Sequence, residues 1–510
     1  MAGTMRGTRP GMGDCGMTAL LDGLAVNPAA PTGLLLWLLE PEYESAWSAL
    51  ASRRPSFPEE VTAAIVTHPH PRVRGALARN PFVDPEVRGL LVDDPDWLVR
   101  ARLAGRPHRT RPVRPLPDWV IDRMLTTYDR DCLEELFFSR QIPFRVRRSY
   151  GGHPMASVRR MATNVWAHLS EEERAALLND PHPQVRASAQ HMLDTDDAEA
   201  TERWLGPLPA PRNHGTSLIL VNYRLSRTVV DWLLCDSDPE RLCDSDPERP
   251  WVLAHNYSTP PEVVARLAGH PDPKVRLELA RRTDLAPALV TTLARDPDPR
   301  VRTAISLRPE LSEDERAAID YTVDTDEDFG PAEHHTRAAP DPDTSAAYAR
   351  SRHPLLRRRA AQDPALPDAL VARLAHDDDL GVRVLLAHNH PTPPPELLLR
   401  SYLEHRGPAR DLLTEHPRFP VTGLGTRFMD AAAPDERRLA VLDPHLAPGT
   451  ADRLTLDPDA AVRAGAARHP RLPGGRLLAL LDDEELGEHA AANPALPVTV
   501  MRGLLTSNLS

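Results

Sequence analysis

Two cysteines stand eight residues apart in "CDSDPERLCDSDPERP" (Cys235 to Pro250), each followed by Asp-Ser-Asp. Thiolates beside carboxylates could hold a divalent metal, and two thiols could close a disulfide. A second candidate is "DTDEDFGPAEHHTRAAPDPD" (Asp324 to Asp343), where His334 and His335 sit among acids in a possible cation loop. A third is "FFSRQIPFRVRRSY", in which Phe137, Phe138, Arg140, Phe144, Arg145, Arg147, Arg148 and Tyr150 concentrate guanidinium and aromatic groups. That combination suits an anionic or nucleic-acid partner through charge and stacking, and it is the leading candidate binding surface. Catalytic signatures are missing: no His-Glu-x-x-His, Gly-x-Ser-x-Gly, phosphate-binding glycine loop or paired Cys-x-x-Cys occurs. "GLGTRF" (Gly423 to Phe428) lacks the third glycine of a dinucleotide fingerprint. The expectation is a protein with no catalytic residues, no cofactor and no metal.

Composition narrows the partner. The net charge is −12, which argues against nucleic acid as the default ligand. Lysine occurs once, at Lys274, so nearly all positive charge is arginine, as GC-rich coding produces. Four scattered cysteines (Cys15, Cys132, Cys235 and Cys243) make no disulfide framework. "GLLLWLL" (Gly33 to Leu39) is too short to span a bilayer, and no signal-peptide layout precedes it. A soluble, cytoplasmic chain with no membrane partner is expected.

What positions these residues is a repeat. "HPHPRVRGALARNP" (His68), "DPDWLVRARLAGRP" (Asp94), "HPDPKVRLELARRT" (His270), "DPDPRVRTAISLRP" (Asp296), "DPHPQVRASAQHML" (Asp180) and "DPDAAVRAGAARHP" (Asp457) share one pattern. Asp or His, usually Pro, and three variable residues precede Val-Arg and a small-apolar run. Further copies start at His153 and Asp377. Between them lies Pro-x-x-Pro with an apolar stripe, as in "PSFPEEVTAAIV" (Pro55) and "PALPDALVARLA" (Pro364). His68 to Asp94 and His270 to Asp296 are both 26 residues. In "PEEVTAAIV" the residues Val61, Ala64 and Ile65 fall on one helical face. Proline suits the first turn, and the Asp or His opening each pattern is the expected helix cap. A unit this small cannot bury its apolar face alone, so neighbours must stack. The fold class expected is all-α: an α-solenoid of about seventeen units of 24–27 residues.

The alternating layout resembles the leucine-rich repeat variant family, a HEAT-like group of α-solenoids. That resemblance implies a right-handed superhelix of α-helices alternating with short helical or 3₁₀ segments. A founding member of that family holds an iron–sulfur cluster on N-terminal cysteines. Only Cys15 lies near this N-terminus, so the resemblance does not extend to the cluster. The organisation expected is a disordered tail (1–17), repeats (18–107), an irregular insertion (108–152), repeats (153–194), an irregular linker (195–220), central repeats (221–318), an acidic insertion (319–350) and C-terminal repeats (351–510).

The Val-Arg arginines Arg74, Arg100, Arg159, Arg186, Arg276, Arg302, Arg383 and Arg463 recur six residues after the opening Asp or His. They could be a basic ladder for phosphates, or a structural ladder bonding an Asp or helix-end carbonyls of a neighbouring unit. Because the position follows the repeat as core positions do, the structural ladder is expected. The cysteine question resolves in the same register. Asn222 to Asn256 is 34 residues, and removing one eight-residue copy restores the 26-residue period. Residues 235–242 therefore read as a duplicated turn, and Cys243 as a copy rather than a ligand. The expected function is a scaffold binding a protein or peptide through its concave or insertion-bearing face. The alternative is a HEAT-like nucleic-acid binder using its arginines, which the net charge disfavours.

Overall fold

The computed structural model describes residues 14–107, 111–208, 210, 213–234, 248–324, 329–332 and 334–507. The duplicated segment 235–242, Cys235, Cys243 and the first thirteen residues lie outside them. Among the described residues the architecture is all-α, with no strand. No helix among them is long and apolar enough to cross a membrane. Two compact bodies divide the chain: residues 1–144, 330–338 and 392–510 form the first, and 145–329 with 339–391 the second.

One repeat of the first body shows how the sequence dictates the element. Helix Glu59–Val66 follows Pro58, carries Glu59 and Glu60 in its first turn, and buries Val61 and Ile65. Acidic side chains there complement the free N–H groups of the helix start. The chain then turns through His68-Pro69-His70-Pro71 into helix Pro71–Ala78, which buries Val73, Arg74, Leu77 and Ala78. Capping differs from the expectation by two residues. His68 Nδ1 accepts the N–H of His70, and His70 in turn caps the helix by accepting from Arg72 N–H. The same two-step turn recurs as Asp94 to Asp96 to Leu98, and as Asp296 to Asp298 to Arg300. The opening Asp or His therefore orders the turn, while the residue two later is the N-cap. Two consecutive side-chain acceptors let a tight corner satisfy its N–H groups without a longer loop.

The second helices of successive repeats stack side by side. In the first body Trp47–Arg53, Pro71–Ala78, Trp97–Ala104 and Arg130–Phe138 follow one another. In the second, Glu248–His255, Pro273–Arg281 and Pro299–Ser306 do the same. The first segments of the repeats are mostly one or two turns of α-helix. 3₁₀ geometry is confined to short pieces such as Pro41–Ala46 and Arg410–Glu415. Residues 113–139 hold an ordinary helix pair, Asp118–Thr127 and Arg130–Phe138. The acidic excursion has a buried anchor in the second body. Phe329 is 2% exposed and lies under the Arg358 guanidinium, 4.8 Å from the ring centroid.

The repeat pattern gives no hint that residues 14–53 meet residues 487–505, yet in the first body they do. Helix Asp14–Val26 packs on Gly487–Ala491 on one side and on Trp47–Arg53 on the other. Gly23 makes the approach possible: a Cβ there would lie 2.2 Å from the Glu488 carbonyl oxygen. Asn27 Nδ2 donates to the carbonyls of Ala491 and Asn493, both at 2.8 Å. Tyr43 adds a buried bond to the Leu505 carbonyl, and Arg53 pairs with Glu488. A solenoid end is an apolar face that needs a cap. Here residues 14–53 and 487–505 cover one another.

Candidate functional site

Three recurrent constellations are candidates: the arginine ladder, a ladder of buried amides and histidines, and the exposed apolar residues. The arginines come first. All eight Val-Arg arginines donate Nη1 to the carbonyls six and five residues back. In Arg276 these are His270 and Pro271, at 2.6 and 3.0 Å, and in Arg100 they are Asp94 and Pro95, at 2.7 and 3.1 Å. Arg74, Arg159, Arg186, Arg302, Arg383 and Arg463 repeat the geometry. Several then reach the next repeat with Nε and Nη2. Arg74 grips Asp94, Arg159 grips Asp180 and Arg276 grips Asp296, each as a two-bond fork. Arg302 reaches Asp320 and Arg463 reaches Glu485. Arg74, Arg276 and Arg383 are buried, Arg100, Arg159, Arg302 and Arg463 are partly covered, and Arg186 is exposed.

Two rungs lack the Val-Arg signature. Arg357 forks to Asp377 and Arg437 to Asp457, and each is followed by a second arginine that forks again. Arg358 holds Asp379 and Arg438 holds Asp459. Arg-Arg four residues after a cap, as in "HPLLRR" and "APDERR", was the available sequence signal. The forks hold the carboxyls of Asp180 and Asp457 below their ordinary range, because each accepts two bonds from a guanidinium.

The second ladder was not anticipated at all. Asn80 donates to the carbonyls of Ala51 and Arg54, Asn256 to those of Leu220 and Tyr223, and Asn493 to those of Ala467 and His469. Each Oδ1 accepts an N–H two residues on, at Phe82, Ser258 and Ala495. All three side chains are fully buried. Gln141 takes the same slot, reaching the carbonyls of Leu103, Ala104 and Gly105. The amide thus closes the last turn of the preceding repeat, whose carbonyls have no partner inside their own helix. Asn27 on Ala491 and Asn493 is this same rung, made across the chain ends.

Histidines serve the same joints. His469 Nε2 lies 2.9 Å from the Asp443 carbonyl. His353, 1% exposed, accepts the Leu355 N–H on Nδ1, so its Nε2–H donates to Ser306 Oγ while Tyr321 stacks on the ring. Burial and the nearby Arg316 push its pKa down to about 4. The folded state holds the neutral ring, so stability is full above pH 6.5 and is lost as pH falls from 6.5 towards 4. Melting temperatures across that window should fall in the native protein, by the equivalent of about 2 kcal/mol after allowance for partial screening. They should fall less in His353→Gln; equal pH slopes would remove His353 as the cause. Among the described residues no group of three His, Cys, Asp or Glu is placed to hold a metal ion. Cys132 is buried with its thiol pushed up to about 11, mainly by desolvation.

The stretch Phe137 to Tyr150 crosses from the first body into the second. In the first, Phe138 is 83% exposed and Arg140 is exposed in left-handed geometry, with φ 62°, while Phe137 and Phe144 are half-buried. In the second, Arg145 is exposed, Arg147 and Arg148 are half-buried, Arg148 pairs with Glu173, and Tyr150 is buried.

A second set of exposed apolar residues lies at 90–119, where no sequence candidate was placed. Leu90, Trp97, Leu98 and Trp119 are each about half exposed. Trp119 Nε1 reaches back to Glu86 and Trp97 Nε1 reaches forward to Asp129, both at 2.9 Å, and Arg123 pairs with Asp93 between them. The signal was in the repeat alignment. The positions of Trp97-Leu98 hold Pro71-Arg72, Pro183-Gln184, Pro273-Lys274 and Pro299-Arg300 elsewhere.

No characterised protein matches the chain. The helix Ala460–Arg468 carries the Arg463 rung and is followed by the helix Gly474–Leu480. It is this segment, residues 460–485, that matches the family model described as leucine rich repeat variant.

Proposed function

We propose that the chain is a non-enzymatic repeat scaffold that binds a protein or peptide partner. The observation that carries this reading is the half-exposed set Leu90, Trp97, Leu98 and Trp119 in a chain with only 5% aromatic residues. Tryptophan is enriched among residues that anchor protein interfaces, and a satisfied indole N–H leaves the ring face free to bury. The arginines that a nucleic-acid reading would need already spend Nη1 on turn carbonyls, and many spend the rest of the fork on Asp. A photoreactive phenylalanine analogue placed at position 98 in cells tests the assignment. Discrete protein adducts are expected. Nucleic-acid adducts, or none, would overturn it.

A further inference from the structure

We infer that the joint between the repeats spanning 81–107 and 113–139 docks a cationic, apolar segment of a partner protein. This deepens the protein-binding reading and rests on it. Three cross-repeat bonds run along the joint: Trp119 to Glu86, Arg123 to Asp93 and Trp97 to Asp129. They hold two indole rings in place while leaving them 47% and 48% exposed, beside Leu90 and Leu98 at 52% and 49%. Gly89 lets the next repeat approach closely: a Cβ there would lie 2.6 Å from Val120 Cγ2 and 3.3 Å from the Trp119 ring.

The charge around the rings selects the occupant. Glu86, Asp93, Asp122 and Asp129 are all exposed. Glu86 gives an indole N–H one carboxylate oxygen and keeps a second, Asp129 divides its two oxygens between the Trp97 indole and the Cys132 N–H that it caps, and Arg123 is already held by Asp93. An ammonium or guanidinium placed over either indole gains the ring quadrupole and a carboxylate together. Leucine-like side chains of the same segment would cover Leu90 and Leu98. A second copy of this chain is the wrong partner, because at net −12 it brings more carboxylate to an acidic face.

The test uses the full-length protein and a fluorescein-labelled synthetic helix of leucine and lysine. Binding is expected in the micromolar range and should weaken as salt rises; the matching leucine–glutamate helix should not bind. Trp97→Ala with Trp119→Ala should weaken binding about tenfold or more. Trp97→Phe with Trp119→Phe, which keeps the apolar rings and drops the tethers, should fall between. Glu86→Gln with Asp122→Asn should flatten the salt dependence, with unchanged circular dichroism throughout. Equal binding of both peptides, no binding of the leucine–lysine helix, or indifference to the tryptophan changes would overturn the proposal. If that happens while residue 98 still crosslinks to protein, the cationic chemistry fails and the protein-binding reading stands; loss of both removes that reading too.

Discussion

Asp296→Ala is expected to lower the unfolding free energy by about 3–5 kcal/mol, the cost of leaving a buried ion without its partner. The Arg276 and Asp296 side chains are 10% and 4% exposed and meet through two bonds, at 2.7 and 2.9 Å. An arginine side chain holds its proton even without the fork, so the guanidinium left behind cannot escape by becoming neutral. Asp296 also accepts the Asp298 N–H, and its loss undoes the first of the two turn caps. Arg276 Nη1 keeps its carbonyls, which localises the damage to the joint. Arg276→Met combined with Asp296→Leu should recover only part of the loss, because a packed apolar pair can replace the buried ion pair but not the Asp298 turn cap or the bonds to the His270 and Pro271 carbonyls. The exposed pair Arg227–Glu262, 62% and 60% exposed, provides the contrast. Removing Glu262 should change stability by less than about 1 kcal/mol. Urea denaturation measures all three, and a change below about 1 kcal/mol for Asp296→Ala would show that the fork does not hold the joint.

Asn27→Ala should open the chain-end seam. The substitution strands the buried Ala491 carbonyl, leaves that of Asn493 with only its Leu496 bond, and costs about 1–3 kcal/mol, the range for one unsatisfied buried group. Asn80→Ala removes the chemically identical rung from inside the array. The two variants should lose similar contacts and respond differently. At Asn80 the repeats on either side remain covalently joined, so the loss is shared. At Asn27 nothing covalent spans the seam, and local opening absorbs the cost. Hydrogen exchange should therefore accelerate selectively in residues 14–53 and 487–505 of Asn27→Ala, and not in those segments of Asn80→Ala. Gly23→Val should act in the same direction by driving a side chain into the Glu488 carbonyl. Equal exchange in Asn27→Ala and Asn80→Ala would mean that the ends are not a separate opening unit.

Much of this was legible because a repeat reports itself many times. The helix pair follows from the apolar stripe of Val61 and Ile65 and from the prolines that punctuate it. The position of the arginines six residues after an Asp or His marked them as a structural ladder, though the carbonyls they hold belong to their own turn and not to a neighbouring unit. The finer register was not legible. Asp-Pro-Asp and His-Pro-His offer two capping residues, and only the backbone shows that the second caps the helix while the first orders the corner. The asparagine rung escaped notice because a single buried Asn before Pro also reads as an ordinary turn residue.

The exposed joint at Trp97 and Trp119 shows a different limit. Tryptophan in an amphipathic segment usually belongs to the core, and composition cannot say which face it takes. Its half-exposure is decided by Glu86 and Asp129 in neighbouring repeats, thirty-odd positions away, which hold the indole N–H groups at the surface.

By itself the sequence determined the all-α repeat, its period and the positions of its arginines, because these depend on residues within one or two units. Only the tertiary structure decided which carboxylate each arginine grips, which tryptophans stay exposed, and that Asn27 finds Ala491 and Asn493. The seam uses the same residue types as every other joint, so no local pattern marks it. Asn27 and Ala491 stand 464 positions apart, so no single repeat holds both halves of the seam.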